Sequence, residues 1–515
     1  MNFKRVLLVS FLILTMLAFV ACESTNKDAA ALPEWDETYD VVVVGGGFAG
    51  LAATYNAAEH GADTLLIDKM PMLGGNSQIN GGVYAAYTSK LNLSEKLGYE
   101  PDTPEKHIED TMEGGDNLSD PALVKNFVYG SPYFIDLMLE NGLEVRDSLA
   151  RPGGHYSHRT LTTKNQTGYD IVEVQKKLVD QSGAEVMLET EMDRIYREEG
   201  KEGKVVGIRV QTNEGTKNIK AENGVILATG GFSGNEEMRQ MHVPWIDEDM
   251  FDTNHAGATG EGIQLAQEIG ANTTDMSHIQ LYPFANPENG VLDSPAILPF
   301  NGPGAGIVYV DTAGNRYVNE GGRRDECTFA ALESDGFPTF TIFNKEMYRE
   351  FATDQDIEEG IEKGRIFKAD TLEELADLIS AETYDGHSVD MPGENLAATI
   401  EAHNSYVEQG EDPEFGKVID SSMMTMPEGP YYAVPQWPSV HHTMGGLTIT
   451  PRTEVRDVWG DAIPGLYAAG EATGGVHGTN RLGSNAIPDA AVHGLIAGQM
   501  AAEGTLPDFV PSANR

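Results

Sequence analysis

Hydrophobic positions along the chain fall into three textures. Val6 to Val20 is almost wholly apolar and follows Lys4 and Arg5, a pattern that fits a secretion signal and is shorter than the roughly 20 residues needed to span a bilayer. From Tyr39 the pattern becomes that of alternating strands and helices. Tyr39-Asp40-Val41-Val42-Val43-Val44 is a short β-branched run, which predicts a strand covered on both faces. It leads directly into Gly45-Gly46-Gly47-Phe48-Ala49-Gly50. Leu51 to His60 is Ala-rich and reads as a helix ended by Gly61, and Thr64-Leu65-Leu66-Ile67 reads as a second strand closing on Asp68. The three pieces make one βαβ unit. Further strands are expected at Val186 to Leu188, Val205 to Val210, Gly224 to Thr229 and Gly465 to Ala469. The last two each end in a Gly-rich turn, which predicts that the carboxy-terminal segment returns to the first domain. Between roughly Ile279 and Ser439 the texture changes to Pro/Gly-rich loops with two amphipathic helices, Ala369 to Ala381 and Glu394 to Gln409, read as an inserted second domain.

Composition narrows the possibilities. Lys and Arg number 35 against 80 Asp and Glu, a formal charge of −45, so a nucleic acid would be repelled. With 40% hydrophobic and 22% charged residues the chain is globular in character. Cys22 and Cys327 are the only cysteines, which excludes a disulfide framework, a Cys-rich metal site and covalent haem; no metal is expected. Phe19-Val20-Ala21-Cys22 resembles a bacterial lipobox, in which the Cys is lipidated and becomes the amino terminus. The reading is therefore a signal over residues 1–21, a tether over 22–35, a nucleotide-binding domain over 36–278 and 440–515, and a second domain over 279–439. That places the protein outside the cytoplasm, attached to a bacterial membrane through lipidated Cys22.

Gly45, Gly47 and Gly50 form G-x-G-x-x-G between strand and helix. The first glycine allows the tight bend, the second lets a pyrophosphate approach the backbone, and the third packs helix on strand. Asp68, at the end of the second strand, is placed to accept from a ribose hydroxyl. This unit alone does not distinguish NAD from FAD.

Other motifs resemble the soluble fumarate reductase flavoprotein family. They are Gly74-Gly75-Asn76-Ser77, Ala228-Thr229-Gly230-Gly231, Gly257 to Gly262, Gly465 to Glu471, and Asn480-Arg481-Leu482-Gly483-Ser484-Asn485-Ala486. The resemblance implies an α/β fold, a Rossmann-like FAD-binding domain carrying an inserted α+β capping domain. It implies FAD contacts from Gly45, Gly47, Phe48, Ala49, Gly50, Asp68, Lys69, Gly74, Gly75, Asn76, Ser77, Gly81 and Gly82. Further contacts are expected from Ala228, Thr229, Gly230, Thr259, Gly260, Glu261, Glu471, Arg481, Ser484, Asn485 and Ala486. In membrane-bound relatives a His in the segment matching Gly74 to Gly82 holds FAD covalently. This segment has none, so non-covalent FAD is expected.

The same resemblance implies roles in reducing a carbon–carbon double bond conjugated to a carboxylate. His442, in His441-His442-Thr443-Met444-Gly445-Gly446, and Arg481 are the implied carboxylate ligands, and Arg324, in Asn319 to Asp325, the implied proton donor. An arginine can act so only by regaining its proton from a neighbour; Glu320, Asp325 and Tyr282 are the candidate relay partners. The alternative for Arg481 is an ion pair with Glu471 or Asp489. Tyr282 stands where fumarate reducers have a substrate-binding His, and Pro299, Phe300 and Pro303 stand where they have further polar groups. A second carboxylate would lie desolvated against Phe300 and Ile297. Fumarate is therefore not expected; a Tyr at the position of Tyr282 is similar to the family's urocanate-type branch, a resemblance that implies an unsaturated monocarboxylate of urocanate or cinnamate type, with Pro295 to Phe300 as an apolar or aromatic-stacking wall. Alternatives are a ketosteroid-type dehydrogenase using Tyr282 as base and a flavin- or substrate-binding lipoprotein without catalysis. Electrons are expected from a separate cytochrome, flavoprotein or quinol-linked donor. The basic cluster Arg151, His155, His158 and Arg159 is read as reaching the substrate or the pyrophosphate, or as a surface loop.

Overall fold

A computed structural model of the chain describes residues 32–246 and 250–514. The signal, Cys22 and nearly all of the tether lie outside them. Strand β1 (Glu37–Val44) and helix α1 (Phe48–Glu59) are followed by β2 (Thr64–Ile67), helix α2 (Pro104–Gly114), β3 (Glu185–Met187), β4 (Glu191–Glu199), β5 (Glu202–Thr212) and β6 (Gly215–Leu227). The middle of the chain supplies β7 (Ile279–Ala285), α3 (Ser294–Asn301), β8 (Val308–Val310), α4 (Arg324–Glu333), β9 (Thr339–Asn344), β10 (Phe367–Ala369) and β11 (Tyr431–Thr443). The end returns with β12 (Glu454–Arg456), β13 (Ala462–Ala468) and α5 (Ala486–Glu503).

The first sheet runs β12-β13-β6-β1-β2-β3, with the β4–β5 hairpin joined through β5 to β6. β1 pairs in parallel with β2 and β6, and β13 pairs in parallel with β6 through Leu466 opposite Val225. Val41, Val42 and Val43 are fully buried, as a strand covered on both faces requires. α1 starts at Phe48, three residues before the expected Leu51, because Gly47 is the last extended residue. At Gly50 a side chain would meet the Gly45 carbonyl at 1.7 Å, so only glycine lets α1 lie this close to the strand-end turn.

The middle segment is richer than loops and two helices. Its antiparallel sheet runs β7-β11-β9-β8, with β10 also on β11. The two expected helices are present, as Leu372–Ala381 and Gly393–Gln409. One hydrophobic core contains Val41 to Ile67 and extends to Ile279, Leu281 and Val440; a second runs from Tyr282 to Val434. β7 and β11 therefore pass from one core into the other, and their register sets Gln280 opposite His442 and Tyr282 opposite Ser439. Among the described residues no helix is long and apolar enough to cross a membrane.

Candidate active site

A single cleft extends from the β1–α1 turn to the place where β7 and β11 leave the first core. At its nucleotide end lie Gly45, Gly47, Phe48, Ala49, Asp68, Lys69, Gly74, Gly75, Asn76, Ser77, Gly81, Ala228, Thr229, Gly230 and Glu261. α1 has no side-chain cap, so its first N–H groups point at the cleft, where an anion is favoured by both hydrogen bonding and the helix dipole. One of them is fixed locally, Phe48 donating to Ser77 Oγ at 2.8 Å. α5 is also uncapped by a side chain, and Ala486 and Ile487 at its start line the cleft. Asp68 accepts from Gly46 N–H at 2.7 Å and Met70 N–H at 2.8 Å, leaving a second lone pair on each oxygen. Lys69 bonds Glu261 and Thr259 at 2.7 and 2.6 Å.

At the other end stand Tyr282, Arg324, His441, His442, Glu471 and Arg481. Arg324 is the first residue of α4 and is buried. Its Nη1 donates to Gln280 Oε1 at 3.0 Å, and its Cζ lies 4.7 Å from the Phe300 ring centroid and 5.0 Å from that of Tyr282. Gln280 is itself held, donating to Asn480 Oδ1 at 2.6 Å and to the Arg481 carbonyl at 2.7 Å. Arg481 donates through Nη1 to the Leu482 carbonyl at 3.2 Å. The Nε of Arg324 and the Nε of Arg481 are buried without a partner. Among the described residues no carboxylate lies within 4 Å of either guanidinium. Glu471, one proposed partner of Arg481, accepts instead from Thr443 N–H at 2.9 Å and faces His442 Nδ1 at 3.6 Å. Asp489, the other, bonds His477 at 2.9 Å and His493 at 2.6 Å.

Desolvation dominates the electrostatics. It pushes Arg324 down to about 10, and it pushes Arg481 well below the usual arginine range, aided by repulsion from Arg324. Burial, with repulsion from Arg481, holds His442 well below the ordinary histidine value, so its imidazole is neutral at pH 7. Burial lifts the Glu471 carboxyl to about 7. Two confined, unpaired guanidiniums beside a neutral imidazole make a site for an anion, since a carboxylate would supply the charge and acceptors that the protein withholds. The lining beside them is apolar, formed by Leu292 with Ile297 and Phe300 one helical turn apart on α3. Pro299 and Pro303 do not reach the cleft.

Several expectations are corrected. Gly50, Gly82, Thr259, Gly260 and Asn485 stand behind the lining; Asn485 bonds His107 at 3.0 Å and Thr111 at 3.0 Å. Glu320 is buried with Arg316 at 2.8 Å and Lys417 at 3.2 Å, and Asp325 pairs with Arg323, so neither touches Arg324. Tyr282 lies beside Arg324, but its hydroxyl donates to the Ala296 carbonyl at 2.7 Å. The basic cluster does not line the cleft; it lies on a loop whose Tyr156 is exposed while its charged side chains are tied down. Arg159 is buried on Asp102 and Asp110, Arg151 pairs with Asp420 at 2.7 Å, His158 stacks on Tyr99, and His155 Nε2 bonds the Gly483 carbonyl at 2.8 Å.

Comparison with known proteins fits this geometry. A family model described as an FAD binding domain matches residues 40–487. A fumarate reductase (cytochrome) of Shewanella frigidimarina is 35% identical, covering 95% of the chain and 81% of that protein. The chain belongs to the soluble fumarate reductase flavoprotein family. A urocanate reductase of Eggerthella lenta (strain ATCC 25559 / DSM 2243 / CCUG 17323 / JCM 9979 / KCTC 3265 / NCTC 11813 / VPI 0255 / 1899 B) is 34% identical, covering 93% and 77%. A further curated relative is about twice as long, and the chain spans 49% of its length. Among solved structures, that of the open conformation of a flavocytochrome c3 fumarate reductase superposes with a TM-score of 0.70 at 35% identity, over 92% of this chain and 79% of that one.

A flavoprotein of this family binds FAD, and the residues here fit it. The uncapped α1 terminus suits the pyrophosphate. Gly47 is close enough to Ser77 Oγ that an added side chain would sit 3.0 Å from it, narrowing the cradle, and buried Thr229 Oγ1 has no partner within the protein. Sequence reasoning missed His441, whose Nδ1 bonds Thr253 at 2.7 Å, and Asn254 and His255, which line the cleft without any motif to mark them. His441 was visible beside His442, but nothing in the pattern showed that a bulge between β7 and β11 turns both rings toward the cleft.

Proposed function

We propose that the chain reduces the carbon–carbon double bond of an α,β-unsaturated monocarboxylate bearing a flat ring, of urocanate or cinnamate type. The observation that carries this reading is the pair of buried guanidiniums without a carboxylate partner, facing an apolar wall of Phe300 and Ile297. Arg481 and His442 grip the one carboxylate. Arg324, with its proton loosened by burial, would deliver that proton to one olefinic carbon and take one back from solvent before the next turnover, and FAD held in the cleft, once reduced by the electron donor, would supply hydride to the other. The apolar wall accepts a ring, and a second carboxylate against Ile297 and Leu292 would lose its water without a hydrogen-bond donor there to replace it. The relationship to proteins named fumarate and urocanate reductases supports the reaction class. Electrons come from a separate redox protein or quinol-linked donor. The chain works outside the cytoplasm on a lipid anchor at Cys22, a reading supported by the apolar run Val6 to Val20 and the sequence Phe19 to Cys22.

The ketosteroid-type alternative needs Tyr282 as a base. Burial raises its phenol well above the ordinary value and its hydroxyl is spent on Ala296, so that reading is the weaker one. The test is anaerobic reoxidation of dye-reduced, FAD-loaded enzyme by fumarate, urocanate, cinnamates, acrylate and methacrylate. Urocanate or a cinnamate should reoxidise it fastest. Fumarate as the fastest oxidant overturns the monocarboxylate assignment, and no reoxidation by any of them leaves the non-catalytic lipoprotein. Metabolic labelling with palmitate, lost in Cys22→Ala, tests the anchor.

A further inference from the structure

Arg324 and Arg481 come from different parts of the chain, and something must set their separation. Arg324 belongs to the segment Asn319–Arg323–Arg324 that enters α4 from the second core, and Arg481 to a loop of the first domain. One carboxylate touches both segments. Asp116, just past the end of α2, accepts from Arg323 Nη1 at 2.6 Å and from the Thr479 hydroxyl. Arg323 immediately precedes Arg324, and Thr479 is two residues before Arg481.

The two sides of this bridge differ in rigidity. Toward Thr479 the fit is tight. A side chain at Gly478 would meet the Gly115 carbonyl at 2.2 Å, one at Gly115 would meet the His477 carbonyl at 2.4 Å, and Asn480 Nδ2 donates to the Gly114 carbonyl at 3.1 Å. The end of α2 and the segment His477 to Asn480 are thus one packed unit. Toward Arg323 the contact runs through the Arg323 side chain alone, chiefly to a carboxylate about half exposed. Arg323 also pairs with Asp325 and reaches the Glu113 carbonyl at 3.4 Å. Asp116 and Asn117 both have φ of +56°, a left-handed conformation that Asp and Asn tolerate better than other side-chain-bearing residues and that aims the Asp116 carboxylate at the two donors.

We propose that Asp116 is the post on which the capping domain registers: by holding Arg323 and Thr479 together it adds a second tie, beside Gln280, that sets the distance between the proton-delivering Arg324 and the carboxylate-gripping Arg481. Asp116 touches no reacting atom and is a positioning residue. The inference rests on the reduction reading for the roles of the two arginines. The contact is a half-exposed ion pair, so it is worth little to overall stability and is screened by salt, while a small displacement of either guanidinium is felt directly in turnover.

Asp116→Asn keeps the volume and the left-handed backbone and removes the charge together with one of the two acceptor oxygens. In FAD-loaded enzyme at about 10 mM salt it should lower kcat/KM for the best enoate about fivefold per bound flavin, with little change in melting temperature. At about 1 M salt the gap between wild type and variant should narrow. Hydrogen exchange of the holoenzyme, read without turnover, should quicken in both 319–326 and 477–483 in the variant. Equal kcat/KM at low salt, a loss undiminished at high salt, or faster exchange in only one of the two segments overturns the inference. If wild type reduces no enoate, the reduction reading fails, and the exchange measurement still decides whether Asp116 couples the two segments.

Discussion

The guanidinium of Arg324 lies over the ring of Phe300, with Cζ 4.7 Å from the ring centroid, and the Tyr282 ring stands 5.0 Å away. Gly483 makes this possible, since a side chain there would meet Phe300 at 2.3 Å and Arg324 Nη2 at 3.4 Å. The aromatic faces hold the cation without offering it a counter-charge that a substrate carboxylate would have to displace. The arginine is fixed in direction, stripped of water and left with a buried Nε free.

Loss of that arginine should remove proton delivery and little else. Arg324→Ala is expected to lower kcat by about 10²–10⁴, the range for a positioned acid, while FAD absorbance per chain is retained. In wild type, turnover should fall as pH rises through about 10, where burial has brought the Arg324 proton within reach of titration. Stopped-flow reoxidation across pH 7 to 11 measures both, and full turnover in the variant would remove Arg324 from the reaction.

Arg481 has a different signature. Arg481→Lys keeps a charge but loses the planar fork that meets two carboxylate oxygens, and its shorter reach leaves the carboxylate poorly held. KM should rise about ten- to a hundredfold, in line with loss of one or two charge-assisted hydrogen bonds, with a smaller change in kcat. Steady-state kinetics on a urocanate or cinnamate substrate separates the two parameters.

How much of this was readable from sequence depended on whether the determining contacts were local. The β1–α1–β2 unit was legible because its apolar run, glycines and acidic strand end lie within Tyr39 to Asp68. The sheet of the second core was not. β7 contains Pro283, β11 contains Pro435 and Pro438, and β8 and β10 are three residues each, so local pattern argued against strands that sheet neighbours then supplied. Glu320 and Asp325 are near Arg324 in sequence, but the turn over Glu320 to Arg323 sends them to Arg316 and Arg323. Arg159 looked free because its partners, Asp102 and Asp110, lie about fifty residues upstream.

Tyr282 separates reduction from ketosteroid-type chemistry. Its ring packs Arg324 and His441, while its hydroxyl only satisfies the Ala296 carbonyl. Tyr282→Phe keeps the ring and should cost enoate reduction no more than a few fold, the scale of one neutral hydrogen bond. A base would instead be indispensable, and a loss of a hundredfold or more in Tyr282→Phe would favour the dehydrogenase reading.

Glu471 makes stability depend on pH. Burial raises its carboxyl from 4.5 to about 7, so the folded protein binds this proton more tightly than the unfolded chain does. The stability contributed by the neutral form is fully present below about 4.5, and it is lost as pH rises through about 7. At 1.36 kcal/mol per pKa unit the span is at most about 3 kcal/mol. Glu471→Gln stays neutral at every pH and can still accept from Thr443, so it should remove that dependence. In urea unfolding of flavin-free protein the variant should match wild type near pH 4.5 and exceed it near pH 8. An unchanged pH slope would show that Glu471 is ionised in the fold at neutral pH, stabilised by the nearby charge of Arg481 more than burial opposes it.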